Sequence, residues 1–122
     1  GENPLFYRLV TLAGGVLFVG VLYGLIWLLC RRFLRGHQVT DQLNDRATVL
    51  ATWTFTGVCL GIVFAVFGAF LLGPWAFYRT VRAHDVAVSD GAAVWWGLGV
   101  VTLAMALTAT GFAGFLWLVG VF

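Results

Sequence analysis

Charged residues are scarce in this chain, and lysine is missing altogether. The 122 residues include seven basic residues, all of them arginine, and five acidic ones, so that 10% of the chain is charged and 61% is hydrophobic. Soluble domains average roughly 45–50% apolar and about 25% charged residues. The composition therefore excludes a soluble globule, a disordered tail and a nucleic-acid-binding module, and it leaves an integral membrane protein.

Three stretches of the chain carry no charge, at positions 9–30, 47–78 and 91–122. Each is longer than the ~20 residues that a helix needs to cross a hydrocarbon core of about 30 Å. Backbone groups find no water at that depth, so each stretch must be helical, and the alternating pattern of a barrel strand is absent. The sequence predicts an all-α integral membrane protein with three transmembrane helices in an up-down-up arrangement and no soluble domain.

The expected helices form one membrane domain over residues 1–122, with approximate bounds 4–34, 45–78 and 90–121. Gly73-Pro74 is the candidate break in the second helix, because a proline lacks the backbone donor of a regular turn. No internal repeat is apparent. The candidate helix caps are Asn3, Asn44-Asp45 and Ser89-Asp90 at the starts, and Gly36 at the first end.

Aromatic spacing supports three spans, because Trp and Tyr favour the two membrane interfaces. Three pairs are separated by 20, 22 and 21 positions, or roughly 30–33 Å along a helix. The pairs are Tyr7 and Trp27, Trp53 and Trp75, and Trp96 and Trp117. The predicted interfacial contacts with lipids or partners are Arg31, Arg32, Arg35, Trp53, Trp75, Arg79, Arg82, Trp95, Trp96 and Trp117.

Arginine placement gives an orientation. With three alternating spans, the first connection carries four arginines and the opposite side three. Because positive charge favours the cytoplasm, the expected orientation has the N-terminus outside and the C-terminus inside a bacterial or archaeal plasma membrane. A net charge of +2 is too small to suggest a nucleic-acid partner.

The spans lack the residues that carry most membrane chemistry. They hold no ionisable carboxylate, base or histidine, which argues against an autonomous pump or proton-coupled carrier. Without lysine there is no amine for a Schiff base. His37, Asp41 and Asp45 recur at four-residue spacing, but no fourth ligand accompanies them. The sequence predicts no enzyme, no catalytic residue, no metal site and no soluble substrate.

The histidines and cysteines are each expected to stay apart. His37 and His84 lie in successive connections, on opposite faces of a three-span protein, so one haem could not bind both. No cofactor is therefore expected on this chain alone, although it could contact a haem, quinone or pigment held by partners. Cys30 and Cys59 are offset by about 13 Å along the expected helices, which predicts two free thiols.

The strongest pattern is a run of small residues at four-residue spacing in the second expected helix. Small residues let two helix backbones approach closely in lipid, where the hydrophobic effect does not drive association. The pattern predicts a tight helix–helix contact, either within the chain or with another chain. The predicted packing residues are Gly57, Gly61, Ala65, Ala69 and Gly73, with a shorter pair at Gly20 and Gly24.

These features favour a small non-catalytic accessory subunit of a larger membrane complex. Its partners would be other integral membrane subunits and lipids, and the expected setting is an energy-converting respiratory or photosynthetic electron-transfer complex. Two alternatives stay open. One is a homo-oligomeric small channel or facilitator assembled along the small-residue run. The other is a membrane anchor that contributes to the quinone site of an oxidoreductase.

Overall fold

The computed structural model describes residues 4–37, 39, 41–84, 86–118 and 120, and this part of the chain is helical with no strand. Its elements are α1 (Pro4–Gly36), α2 (Leu43–Phe64), a short 3-10 turn (Val66–Gly68), α3 (Ala69–Ala83) and α4 (Asp90–Leu118). Helices α1, α2 and α4 are long and apolar enough to cross a membrane. The expected all-α integral membrane fold with three candidate spans is confirmed.

The second expected helix, at 45–78, is two helices, and Gly73-Pro74 is not where it breaks. Helix α2 ends at Phe64, and Ala65 is extended, with φ −171° and ψ 146°. The N–H of Ala65 still donates to the Gly61 carbonyl at 2.9 Å, so the turn keeps its backbone bonded. Pro74 lies inside α3 and packs against Gly97, where an added Cβ would lie 3.2 Å from the proline Cα.

Helix α3 folds back along α2 in the antiparallel direction. A Cβ on Gly57 would lie 2.6 Å from the Leu72 carbonyl oxygen and 3.1 Å from the Ala76 Cβ. A Cβ on Gly61 would overlap the backbone of Gly68 and Ala69. Residues later in α3 therefore lie beside residues earlier in α2. The two helices form an antiparallel hairpin whose turn is at residues 65–68.

This hairpin changes the path of the chain from the expected alternation of three spans. Leu34, Arg46 and His84 line one small cavity, so the end of α1, the start of α2 and the end of α3 lie together. Helix α4 begins at the same end, where Arg82 contacts Asp90. The four helices run up, down, up and down. The start of α1 and the end of α4 therefore share the opposite end, and the expected placement of N- and C-termini on opposite sides was wrong.

The buried positions repeat between the two halves of the bundle. The buried residues of α1 recur in α3 after 47 residues, and four of those in α2 recur in α4 after 50. The α1 and α3 sets are Leu22, Ile26, Cys30, Phe33, Leu34 and Ala69, Gly73, Phe77, Thr80, Val81. The α2 and α4 sets are Ala47, Leu50, Ala51, Thr54 and Gly97, Val100, Val101, Ala104. In each helix these buried positions follow the three- and four-residue spacing of one helix face.

The helix caps agree only in part with the sequence. Asn3 lies outside the described residues. Helix α2 is preceded by Gln42 in the left-handed conformation, with φ 51° and no side-chain cap, so Asn44-Asp45 does not cap it. The Ser89 hydroxyl does accept a bond from the Ala92 N–H at 3.3 Å, as predicted for α4, and α1 ends at Gly36.

Candidate functional site at the charged end

Six of the seven arginines gather at the end of the bundle where both connections lie, which we call the charged end. They flank the α1–α2 connection or lie in the last five residues of α3. They are Arg31, Arg32, Arg35, Arg46, Arg79 and Arg82. Asp41, Asp45 and Asp90 lie there as well, whereas Arg8 is near the start of α1 at the other end. The sequence had predicted four arginines on one side and three on the other. In the structure six lie at the charged end and one lies at the opposite end.

Three arginines of the charged end lie over aromatic rings one helical turn earlier. The pairs are Arg31 over Trp27 at 6.0 Å from the ring centroid, Arg79 over Trp75 at 5.5 Å, and Arg82 over Tyr78 at 5.6 Å. Such contacts stabilise by about 0.5–1 kcal/mol at exposed sites. They also lay long cationic side chains along the helix surface, which suits a boundary between hydrocarbon and water.

Arg82 also joins α3 to the start of α4. Its guanidinium lies 2.7 Å from the Asp90 carboxylate and donates to the Val88 carbonyl. Asp90 is 73% exposed, so the ion pair contributes at most about 1 kcal/mol. The larger effect is geometric, because these contacts hold the α3–α4 connection close to the helix ends.

A row of hydrogen bonds joins α1 to α2 on the outer surface, and we call it the polar seam. The Arg31 Nε donates to Asn44 Oδ1 at 3.1 Å, the Trp27 Nε1 donates to Thr48 Oγ1 at 3.1 Å, and the Tyr23 hydroxyl and Thr52 Oγ1 are 2.9 Å apart. The Thr48 hydroxyl in turn donates a hydrogen bond to the Asn44 carbonyl at 2.9 Å. The seam satisfies polar groups that would otherwise face lipid.

Sequence reasoning missed most of the polar seam, although a signal was present. Tyr23, Trp27 and Arg31 recur every four residues, and so do Asn44, Thr48 and Thr52. Residues four apart share a helix face. Two polar rows at equal spacing on consecutive antiparallel helices therefore indicate a row of contacts between them.

The two histidines cap the ends of α1 and α3 in the same way. The Nδ1–H of His37 donates to the Phe33 carbonyl at 2.9 Å, and that of His84 donates to the Thr80 carbonyl at 2.9 Å. Because a carbonyl only accepts, Nδ1 holds the proton in both rings. Both histidines lie at the charged end, so the expectation that they occupy opposite faces was wrong. That expectation was the reason for excluding a haem bound by both, and the reason no longer holds.

The predicted small-residue run does not lie along one helix face. Gly57 and Gly61 face α3, as described, and Ala65 lies in the turn between the helices. Ala69 is fully buried in α3, and Gly73 faces α4, where an added Cβ would lie 2.6 Å from Val101 Cγ2 and 3.0 Å from Val58 Cγ2. The tight contact therefore lies within the chain. The small residues let α2 and α3 approach closely, and this allows the two helices to form the hairpin.

Gly20 and Gly24 behave differently from the run in α2 and α3. A Cβ added at either position would have nothing within 4 Å. The described part of this chain therefore makes no close contact with the pair, and the predicted packing there is not seen within the chain.

Four of the predicted interfacial tryptophans are more than half exposed. The aromatic spacings, however, do not give a membrane thickness in all three predicted spans. Trp53, Trp75, Trp95 and Trp117 are 58%, 57%, 73% and 68% exposed. Because α3 folds back, Trp75 lies beside the part of α2 that contains Gly57, and the separation of 22 positions from Trp53 is not a membrane thickness. Trp96 is half-buried and packs on Phe33, with ring centroids 5.4 Å apart.

The cysteines are free, as predicted, with Cys30 buried and Cys59 partly buried. Within the described residues, no group of three or more His, Cys, Asp or Glu side chains could hold a metal ion. The chemistry that the charged end offers is recognition by guanidinium groups, hydroxyls and aromatic rings.

No family model, curated protein or solved structure matches this chain. Its function must therefore be argued from its surfaces.

Proposed function

We propose that this chain is a small, non-catalytic accessory subunit of a larger membrane assembly, with other integral membrane subunits and lipids as its partners. An energy-converting electron-transfer complex is the preferred setting. The observation that carries the proposal is the uncovered half of α1. Every residue from 4 to 17 is exposed, including Leu12 at 65% and Leu17 at 70%.

The open glycine pair on α1 supports contact with a partner helix. Gly20 and Gly24 are four residues apart, and their positions face empty space within this chain. Small residues at this spacing favour close approach between helices in lipid. The run in α2 and α3 is already filled by this chain, so the free pair on α1 is the better surface for a second subunit.

The arginine distribution supports an orientation for this subunit. Positive charge favours the cytoplasmic side, and six of the seven arginines lie at the charged end. We infer that the charged end faces the cytoplasm, and that α1 begins and α4 ends on the outer side. This orientation keeps the N-terminus on the outer side, as the sequence had suggested.

Extraction in a mild detergent tests the accessory role. The tagged chain should co-migrate with other membrane subunits in one stoichiometric complex, identified by mass spectrometry. Gly20→Leu should release the chain from that complex without unfolding it, because the added side chain meets a partner and not this chain. Gly91→Leu is the matched control, since Gly91 is also open but lies at the charged end. A lone monomeric peak for the unaltered chain would rule the proposal out.

A quinone-site contribution is the second candidate, favoured by an open groove between α1 and α4. The groove encloses about 290 Å³ and is lined by Leu29, Trp95, Trp96, Gly99, Val100 and Leu103. Small-molecule pockets have volumes of about 300–1,000 Å³ and are lined mainly by apolar and aromatic side chains, so this open groove lies at their lower limit. Organic extraction of the purified protein should then release a quinone, and Gly99→Leu should abolish its retention.

A further inference from the structure

We propose that the groove between α1 and α4 holds an acyl chain of an anionic phospholipid, and that Arg32 binds the phosphate of that lipid. A quinone would occupy the same groove, so the two ligands exclude each other. The inference concerns which lipid this chain binds, and it does not require the accessory role.

The register of α1 against α4 places Arg32 beside the groove. Phe33 packs on Trp96, and a Cβ on Gly111 would lie 2.5 Å from the ring of Phe18. These two contacts are 15 positions apart in both helices, so α1 and α4 run antiparallel in a constant register. Arg32 is therefore at about the level of Trp96, at the part of the groove nearest the charged end.

Arg32 has a free guanidinium on the groove side of α1. It shares a helix face with Leu29, which lines the groove, because residues three apart lie on the same side of a helix. Its side chain is exposed, and within the described residues no hydrogen bond or ion pair engages it, unlike Arg31 and Arg82. The only carboxylate in the sequence of α4 is Asp90, which Arg82 already binds. A phosphate supplies the complementary charge, with oxygens suited to a guanidinium.

The groove itself suits a hydrocarbon chain. It encloses about 290 Å³ between apolar and aromatic side chains, and it runs from Trp95 to Leu103, or about 12 Å along α4. A helix with its side chains is about 10–12 Å wide, so a partner helix could insert only single side chains here. An acyl chain is narrow enough to follow the groove, and its headgroup then lies at the level of Arg32.

Gly99 keeps the groove open and provides a way to close it. A Cβ at this position would have nothing within 4 Å. A leucine there would extend into the groove without colliding with the described part of this chain. The groove can therefore be filled while the helix packing is retained.

Competition between two lipids with identical acyl chains tests the proposal. The full chain is reconstituted in bilayers of equal phosphatidylglycerol and phosphatidylcholine and extracted in a mild detergent, and the bound lipids are counted by native mass spectrometry. We expect phosphatidylglycerol to be retained over phosphatidylcholine by about fivefold, the effect of one arginine on an anionic lipid at a membrane surface.

Variants separate the phosphate contact from the groove. Arg32→Gln should remove the preference for phosphatidylglycerol, and Arg32→Lys should keep most of it. Arg35→Gln is the matched control, since Arg35 is also exposed on α1 but lies on a different face from Leu29. Gly99→Leu should lower the retention of both lipids, whereas Gly114→Leu, at another open glycine of α4, should not.

Three results would overturn the proposal. They are equal retention of the two lipids by the unaltered chain, a preference for phosphatidylglycerol that survives Arg32→Gln, and retention that survives Gly99→Leu. Added ubiquinone that replaces phosphatidylglycerol, is lost in Gly99→Leu and is unchanged in Arg32→Gln would overturn it in favour of the quinone site. Thermal unfolding shows which variants are folded, and either Arg32→Gln or Gly99→Leu is a sufficient test if the other folds poorly.

Discussion

At the scale of single residues, the glycines of this chain have two opposite roles. Gly57, Gly61 and Gly73 lie where a side chain would collide with a neighbouring helix, whereas Gly20 and Gly24 face open space. The same four-residue spacing therefore describes positions with very different tolerance. Only the contacts made by the added Cβ distinguish them.

Gly61→Ala is expected to destabilise the bundle by about 1–3 kcal/mol, because the methyl group meets backbone atoms of α3 that no rotamer change can move. Gly20→Ala, the matched control, should be neutral or stabilising by up to about 1 kcal/mol, since alanine favours a helix over glycine. Thermal unfolding in a mild detergent measures both. Equal effects of the two variants would contradict the hairpin packing.

The two histidine caps provide a second test at this scale. His37→Ala and His84→Ala should each lower the free energy of unfolding by about 1 kcal/mol, because each removes one side-chain bond to a helix carbonyl. Arg35→Ala is the control, and as an exposed substitution it should stay within about 0.5 kcal/mol. Chemical unfolding in mixed micelles gives the three values. A large difference between the histidine variants would argue against equivalent caps.

At the scale of helices, pairs are joined in different ways. Helices α2 and α3 meet through small residues and close backbones, whereas α1 and α2 meet through the polar seam. Phe33 joins α1 to α3 and α4, since its ring centroid lies 5.0 Å from that of Phe77 and 5.4 Å from that of Trp96. The hairpin provides close packing, and the seam fixes the register of α1 against α2.

A double-mutant cycle measures the seam. Tyr23→Phe and Thr52→Val should show a coupling energy of about 0.6 kcal/mol, the average for hydrogen bonds between membrane helices. Tyr23→Phe combined with Thr56→Val should show none, because the Thr56 hydroxyl bonds to the Thr52 carbonyl of its own helix. Unfolding free energies of the single and double variants provide both cycles. Zero coupling in the first cycle would mean that the seam does not hold α1 to α2.

At the scale of the whole molecule, the bundle is polarised along its axis. The charged end holds the α1–α2 and α3–α4 connections, and the opposite half exposes apolar surface on α1, α4 and the α2–α3 turn. A polar end facing water and an apolar half facing lipid or partner helices follow from this arrangement. The exposed apolar surface is what a membrane or a membrane complex must cover.

Sidedness can be measured directly. In a background with Cys30→Ala and Cys59→Ala, Asp41→Cys and Ser89→Cys should react with an impermeant maleimide from the same side of sealed vesicles, because both connections lie at the charged end. Arg8→Cys, near the start of α1, should react from the other side. Reaction of Asp41→Cys and Ser89→Cys from opposite sides would restore the path of three alternating spans.

The sequence by itself determined the environment of this protein and much of its local structure. Apolar runs without charge require helices in lipid whatever their neighbours are, so the membrane class and the regions of α1 and α4 followed from composition. The free cysteines and the Ser89 cap were also predictable, because each depends on local geometry. Tertiary structure decided where the apolar run at 47–78 turns. Gly57 and Gly61 permit the reversal only because α3 and the turn before it pack against them, and that long-range contact brings His84 and Arg82 to the end that holds His37 and Arg31.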